Sequence, residues 1–289
     1  KNYLSEPDYI KYYGQELMPT TYNLARMNMF LHGGLPENQH PRNGDTLDAD
    51  WPTDEDTEFD VVTMNPPYSA HWSAAEGFKQ DERFMDYGGK LAPKTKADYA
   101  FVLHGLYHLS EEGTMAIVLP HGVLFRGAAE GVIRKNLIEH RCGNRIYAVI
   151  GLPSNLFYGT GIPTIVMVLK KKRSTKDILF IDASRDFEAG KNQNILRECD
   201  IDKIVETYEK REDVDKYAHV ATMQEIEENG FNLNIPRYVD TFEPEEEIDL
   251  NEVAADIRKL QTEIKGIDAE LKPFFDELGL DFPFDVEGK

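Results

Sequence analysis

Four residues, Asn65-Pro66-Pro67-Tyr68, follow directly on an apolar segment, Phe59–Met64, that predicts a buried strand. An amino group conjugated to a ring is a poor nucleophile, because its lone pair is delocalised. Two acceptors, the Asn65 side-chain oxygen and the Pro66 carbonyl, would favour the pyramidal geometry that such an amine needs to attack a methyl sulfonium. The prolines stiffen the loop, and Tyr68 offers a ring on which a base could stack. The motif indicates methylation of an amino group, unless Asn-Pro marks only a turn after a strand.

The elements that would position this motif alternate between apolar runs and helical patterns over the first two-thirds of the chain. That alternation predicts an α/β domain with a largely parallel sheet. The predicted strands are 12–17, 59–64, 115–119, 146–150, 164–169 and 178–181, and the predicted helices are 19–32, 96–109, 130–140, 200–210 and 223–229.

A different pattern occupies the C-terminal end, where apolar residues alternate in steps of three and four. This heptad seam covers about three heptads of residues 250–271, and Pro273 is predicted to end the helix. An amphipathic helix packed on its own domain would also have an apolar face. The strict seam, the terminal position and the acidic linker 243–247 favour a helix that meets another chain. The seam residues are Leu250, Val253, Ile257, Leu260, Ile264, Ile267 and Leu271.

Composition limits the function further. The net charge is -20, and from Glu243 onward fifteen acidic residues face five basic ones. A chain this acidic should bind nucleic acid poorly by itself, so a partner would have to supply the contacts to phosphate. Cys142 and Cys199 lack metal-ligand or disulfide spacing, and no metal site is predicted. No apolar run has the length of a membrane span, and the expected location is cytoplasmic.

The tetrapeptide resembles the catalytic motif of amino-methyltransferases that use S-adenosylmethionine. N6-adenine DNA methyltransferases, guanine-N2 RNA methyltransferases and glutamine methyltransferases of release factors share it. A more specific resemblance, to the modification subunits of type I restriction-modification systems, rests on three later stretches. These are LPHGVLFRG at 119–127, IGLPSNLFYGTGIPT at 150–164 and NGFNLNIPRY at 229–238. The resemblance covers nearly the whole chain, in the order of the family.

By this resemblance the fold is that of a class I S-adenosylmethionine-dependent methyltransferase, with a Rossmann-like sheet and a C-terminal helical extension. The motif 65–68 would be catalytic. Glu16 matches the acid that holds the ribose hydroxyls of the cofactor, and Asp45 matches the residue near its adenine amino group. Phe157 or Tyr158 would form the second wall of the target-base pocket, although either could be a core aromatic residue beside a turn.

The resemblance also implies an organisation into segments. Residues 1–182 would form the catalytic domain, 183–243 a mixed polar and helical connector, and 244–289 the heptad helix and tail for subunit docking. The family's first motif is a strand that runs into a Gly-rich turn, which cradles the methionine part of the cofactor. No such turn precedes Glu16, so we expect it upstream of Lys1 and expect the sheet to be incomplete at its N-terminal end.

The implied activity is adenine-N6 methylation of DNA as part of a complex. The helix 250–271 would pack on a specificity subunit flanked by two modification subunits, and a separate restriction subunit would supply ATP-dependent translocation, since this chain has no P-loop. Two other interpretations remain open. The chain could be an assembly fragment that docks on the specificity subunit without catalysing, or an RNA or protein amino-methyltransferase that shares the NPPY motif.

Overall fold

The computed structural model describes residues 10–53, 58–241 and 250–283. The chain divides into two units, residues 1–241 and residues 242–289. Within the described residues, no helix combines the length and the apolar character that crossing a membrane requires.

The first unit contains ten strands and five α-helices among its described residues. The strands are β1 (Tyr12–Glu16), β2 (Gln39–Asn43), β3 (Phe59–Met64), β4 (Leu109–Pro120), β5 (Ile146–Gly151), β6 (Thr164–Lys170), β7 (Ile178–Asp182), β8 (Glu188–Ala189), β9 (Asn194–Ile195) and β10 (Ala218–Ala221). The helices are α1 (Pro19–Leu31), α2 (Asp98–Tyr107), α3 (Ala128–Ile138), α4 (Glu198–Lys210) and α5 (Met223–Glu228). The predicted strands and helices are all present, and their ends lie within two residues of the predicted bounds, except that β4 begins six residues earlier than predicted. Strands β2, β8, β9 and β10 were not predicted.

Six of the strands form one sheet in the order β10-β7-β5-β6-β4-β3. The pairs β3–β4 and β5–β7 are parallel, and the pairs β4–β6, β5–β6 and β7–β10 are antiparallel. The prediction of a largely parallel sheet is therefore wrong in its pairing, although four of the six strands run in one direction. The chain returns from β5 into β6 without a crossover helix, and such a connection makes neighbouring strands antiparallel.

Strand β3 lies at one end of this sheet. Only Val62 of its residues is buried, and Val61 is 68% exposed. The prediction of a buried strand at 59–64 is therefore wrong, while its bounds are confirmed. An apolar run can form an edge strand as well as a central one, because composition alone does not report the position in the sheet.

The strands β1 and β2 form a separate parallel pair, in which Glu16 lies opposite Asn43. Helix α1 connects them and buries none of its residues. The ring of Tyr13 lies 5.2 Å from that of Phe59, so this pair contacts the start of β3. The exposed apolar side chains of α1 are Leu24, Met27, Phe30 and Leu31.

The larger of two core clusters lies between the six-stranded sheet and the helices α2 and α3, and a smaller cluster packs against α4. Tyr99 of α2 is fully buried, and its hydroxyl donates to the Val123 carbonyl at 2.8 Å. This bond connects α2 to the segment that follows β4, so the core fixes the loops at the carboxyl end of the sheet. Other fully buried apolar side chains of the same core cluster are Phe84, Leu103, Leu106, Met115, Ile117, Leu124, Ile133 and Leu137.

The second unit contains one long helix, α6 (Leu250–Leu278). The helix predicted over 250–271 is present, but the prediction that Pro273 ends it is wrong. A proline in a helix lacks one N–H donor, and the turns on both sides can keep their own hydrogen bonds. The actual end is at Gly279, which has a φ of 65°, and the Leu280 N–H donates to the Phe275 carbonyl at 3.0 Å. That pattern is typical of a glycine-terminated helix.

Candidate active site at the carboxyl end of the sheet

The NPPY motif begins where β3 ends, as the sequence predicts. Asn65 and Pro67 are exposed, and Pro66 and Tyr68 are half-buried, so a ligand can reach the loop. The Tyr68 hydroxyl donates to Asn65 Oδ1 at 2.9 Å. Desolvation raises the pKa of Tyr68, which keeps the hydroxyl protonated as a donor at neutral pH. This bond orients the Asn65 amide, because it requires an acceptor oxygen on the side of Tyr68.

The two aromatic residues proposed for the opposite wall occupy different environments. The ring of Phe157 lies 6.3 Å from the ring of Tyr68, in an edge-to-face arrangement at 74°. Tyr158 is 91% exposed. The structure therefore brings Phe157, and not Tyr158, into contact with the NPPY loop. The contact joins two loops that follow different strands, β3 and β5.

The loop after Tyr68 is anchored to helix α2. Ser69 has a φ of 50°, in the left-handed region, and its N–H donates to Asp98 Oδ1 at 2.7 Å. Asp98 is 1% exposed and lies in the first turn of α2, where a carboxylate also interacts favourably with the helix dipole. The Asp98 carboxylate therefore holds the backbone just after the motif in a conformation that few residues adopt unaided.

Arg126 supplies the charge that this buried carboxylate requires. Its guanidinium lies 3.1 Å from Asp98 Oδ2 and 3.2 Å from Glu130 Oε1. Burial raises the pKa of Glu130, and Arg126 opposes that rise. A Cβ on Gly122 would collide with the Arg126 guanidinium in its present position, so any other residue would require that guanidinium to move. Gly122 of the LPHGVLFRG stretch thus leaves space for the Arg126 side chain to reach Asp98, which anchors the NPPY loop.

Neither Asp98 nor Arg126 was predicted as a site residue. An aspartate in the first turn of a helix is ordinary, and its role depends on a contact with Ser69 that lies 29 residues away in sequence. Arg126 belongs to a stretch that the sequence analysis quoted for its resemblance, and this was the only signal that could have identified it.

We expect Asp98→Ala to lower the free energy of unfolding by about 3 kcal/mol, because it leaves the Ser69 N–H and part of the Arg126 charge without a buried partner. Asp98→Asn should lose less, since the amide oxygen can still accept from Ser69. Urea unfolding of the chain measures both. The matched control is Asp86→Ala, which removes an exposed pair with Arg141 and should change the stability by less than about 0.5 kcal/mol. Equal losses for Asp98→Ala and Asp86→Ala would contradict the anchoring role.

The three stretches that resemble type I modification subunits meet at this end of the sheet. Arg134 is buried and donates to the carbonyls of Val123 and Phe231 at 3.0 and 2.8 Å. A Cβ on Gly151 would lie 2.7 Å from Ile235 Cδ1, so the third stretch packs closely on the second. Residues 229–238 therefore pack against the loops that surround the NPPY motif.

The two predicted cofactor residues lie at the carboxyl ends of the neighbouring strands β1 and β2. Glu16 ends β1, and its carboxylate accepts from the Met18 N–H at 2.7 Å. Asp45 follows β2 and accepts from the Leu47 N–H at 2.9 Å within its own turn. Because β1 and β2 are parallel, the two acids lie at the same edge of this pair. Gly14 of β1 has open space where a Cβ would be.

The loop after β2 is joined to the loop after the NPPY motif. Ser73 Oγ donates to Asp48 Oδ1 at 2.6 Å, so the edge that carries Glu16 and Asp45 is connected to the loop that carries Asn65. The arrangement places the predicted cofactor residues and the predicted catalytic motif on linked loops.

Deeper in the fold, Asp50, His104 and His108 bring potential metal ligands within 4.8 Å of one another. The Arg83 guanidinium lies 3.3 Å from His104 Nδ1 and 3.6 Å from Asp50 Oδ1, and this positive charge opposes a bound cation. Burial lowers the pKa of His104 to about 3, so its ring is neutral and accepts from Arg83 at neutral pH. The cluster fastens the loop after β2 to helix α2.

Comparison with known proteins identifies the family of this chain. A family model described as N-6 DNA Methylase matches residues 1–247. The type I restriction enzyme MpnII methylase subunit of Mycoplasma pneumoniae is 40% identical over 94% of this chain and 52% of its own length. The chain thus spans about half the length of the curated relatives it matches.

Solved structures show the same likeness. The methyltransferase subunit of a type I restriction-modification system from Streptococcus thermophilus is 60% identical, with a TM-score of 0.80 over 83% of this chain and 50% of that one. A class I S-adenosylmethionine-dependent methyltransferase described as putative, from Listeria monocytogenes, is 17% identical, with a TM-score of 0.50 over 69% of this chain and 55% of that one. The similarity to the Listeria protein concerns the fold alone. The prediction of a class I S-adenosylmethionine-dependent methyltransferase fold is confirmed. The chain belongs to the N-6 DNA methylase family.

Proposed function

We propose that this chain is the catalytic and C-terminal part of a type I modification subunit that methylates adenine N6 in DNA, with S-adenosylmethionine as the methyl donor. The observation that carries the proposal is the accessible NPPY loop at the carboxyl end of β3, in which Tyr68 orients the Asn65 amide. Family membership and 40–60% identity to type I methylase subunits support it.

The chemistry assigned to the chain's own residues is positioning and electrostatics. The target adenine, extruded from the duplex, lies against Tyr68, and Phe157 closes one side of that ring. Asn65 Oδ1 and the Pro66 carbonyl accept the two hydrogens of the exocyclic amine. These bonds favour the pyramidal nitrogen, whose lone pair would form the new bond to the methyl carbon while the methyl–sulfur bond of the donor breaks and leaves its electron pair on sulfur. The surplus proton of the amine would then be lost to water. Pro67 stiffens the loop that holds both acceptors.

The residues at the ends of β1 and β2 fit the nucleoside part of S-adenosylmethionine. Glu16 presents a half-buried carboxylate that can accept two hydroxyl hydrogen bonds, and the open space at Gly14 lets a ligand approach the backbone. Asp45 is the residue proposed for the adenine end. When bound, the cofactor supplies an electrophilic methyl group.

We expect calorimetric titration of the chain with S-adenosylmethionine to give a saturable heat. Glu16→Ala should weaken the affinity about tenfold or more, because charged hydrogen bonds contribute roughly 1.5–3 kcal/mol each. The matched control Glu37→Ala removes an exposed acid from the turn before β2 and should leave the affinity unchanged. Equal weakening by both substitutions would contradict the role of Glu16.

The same titration addresses the alternative that the chain is an assembly fragment. An intact chain that gives no heat, yet still binds the specificity subunit, would support that alternative. The observation that favours it is the exposure of β3, the edge strand that carries the NPPY motif. An RNA or protein amino-methyltransferase has no such support, since the matched family is one of DNA methylases.

The proposed partners follow from charge and from α6. A net charge of -20 opposes DNA binding by the chain alone, so DNA is bound through the complex. The helix over 250–271 docks on a specificity subunit, beside a second modification subunit, and a restriction subunit joins the full system. In this proposal residues 1–182 are the catalytic domain, 183–243 the connector and 244–289 the docking segment.

A further inference from the structure

Helix α6 carries an apolar seam that is longer than the sequence analysis assigned. Because the helix continues through Pro273, Phe274 and Leu278 extend the alternation of three and four by one heptad. Exposure along the seam ranges from 37% at Leu271 to 72% at Leu278. The seam side chains that the structure describes are Val253, Ile257, Leu260, Ile264, Ile267, Leu271, Phe274 and Leu278.

One flank of this seam is acidic in every heptad. With Ile257 and Ile264 at position a of the heptad, all the g positions carry a carboxylate, and all of these are exposed. None of them forms an ion pair within the described stretch 250–283. The opposite flank, at the e positions, is mixed. The acidic stripe consists of Asp256, Glu263, Glu270 and Glu277, and the e positions hold Ala254, Gln261, Asp268 and Phe275.

This charge pattern opposes the pairing of two copies of α6. In an antiparallel pair the g positions face each other, which would bring the acidic stripe against itself. In a parallel pair g faces e of the next heptad, which would place Glu263 opposite Asp268. Charges at e and g select partners and orientation in coiled coils, and like charges disfavour a pair. The seam thus favours association, while the stripe opposes an antiparallel second copy in every heptad and gives a parallel second copy no pair of opposite charges.

We propose that α6 pairs with a helix of a different polypeptide that carries lysine or arginine at the positions facing the acidic stripe. This inference rests on the docking role of α6 in the proposed function and adds the chemistry by which the partner is selected. The apolar seam supplies the contact area, and the stripe determines which helix can occupy it.

The test uses two designed peptides of four heptads, each with leucine at every a and d position. One has lysine at all e and g positions, and the other has glutamate there. A third peptide has the lysine peptide's composition in scrambled order. Fluorescence anisotropy measures the binding of each peptide to the whole chain. We expect the lysine peptide to bind at least about tenfold more tightly than the other two, with an affinity that falls as salt is added. Equal binding of the lysine and glutamate peptides overturns the proposal.

Charge reversal within the stripe separates it from the overall acidity of the chain. Glu263→Lys with Glu270→Lys should weaken binding of the lysine peptide about tenfold and strengthen binding of the glutamate peptide. The control, Glu252→Lys with Asp276→Lys, makes the same change of charge at c and f positions, away from the seam, and should have little effect. Circular dichroism verifies that both variants keep the helix. An equal effect of both double substitutions overturns the proposal.

Analytical sedimentation tests whether α6 pairs with α6 of a second copy of this chain. Dimerisation of the whole chain that disappears when residues after Pro244 are removed would overturn the proposal. The docking role itself is judged separately, by whether that truncation loses the specificity subunit. One outcome is that the truncated chain loses the specificity subunit while the Glu263→Lys, Glu270→Lys variant binds that subunit with full affinity. In that case the docking role of α6 stands and only the inference about charge fails.

Discussion

Asn65→Ala in the assembled enzyme will reduce DNA methylation at least ~100-fold while leaving DNA affinity nearly unchanged. The Asn65 amide oxygen is one of two acceptors assigned to the amine hydrogens, and it acts when the nitrogen becomes pyramidal. Its loss raises the barrier to the chemical step more than it weakens binding of the ground state. Single-turnover transfer of a labelled methyl group measures the rate, and fluorescence anisotropy with a duplex containing the target site measures the affinity.

A matched control separates this effect from general damage. Asn136→Ala removes a side-chain amide that bonds the Val132 carbonyl within α3, so it should leave the methylation rate within about twofold. If Asn65→Ala weakens DNA binding as strongly as it slows transfer, the loop contributes to DNA affinity and the proposed site is misplaced.

Removal of the chain after Pro244 will detach the specificity subunit. Helix α6 offers the eight exposed seam side chains described above, and a coiled-coil contact of this length is lost as a whole when one helix is deleted. We expect the affinity between the two subunits to fall at least ~100-fold, a loss of about 2.7 kcal/mol. Co-purification and a quantitative pull-down measure it.

A substitution within the seam provides the control for chain length. Ile264→Asp places a charge in the middle of the apolar seam and should weaken docking without shortening the chain. The thermal unfolding of residues 1–241 should persist in both variants, because that unit has its own core. Unchanged co-purification of the truncated chain would refute docking through α6.

The parts of the fold that the sequence predicted are those in which local pattern and burial agree. Strands β5, β6 and β7 have nearly every residue buried, and their apolar runs are unmistakable. Strand β2 was missed because Pro41 and Asn43 have low strand propensity and its five residues include no apolar alternation. It is a strand because β1 pairs with it, and no pattern within its five residues expresses that pairing.

The motif 65–68 was predictable from the sequence because its residues are contiguous and follow a strand. Its supports were not, because they come from distant parts of the chain. Asp98 reaches Ser69 from the start of α2, and Arg126 reaches Asp98 across the glycine of another loop. A local pattern can indicate the groups that touch a substrate. The groups that hold them in place depend on the tertiary fold.

The hydrogen bond from Tyr68 to Asn65 has a consequence for the choice of nucleobase. One lone pair of the Asn65 oxygen accepts from Tyr68, and in the proposed mechanism the other accepts, together with the Pro66 carbonyl, from the amine of the target base. Adenine and cytosine present amino hydrogens at the equivalent ring position, whereas guanine and thymine present oxygens there. Thymine, which has no amino group, would therefore place carbonyl lone pairs against these acceptors, and the loop would repel it.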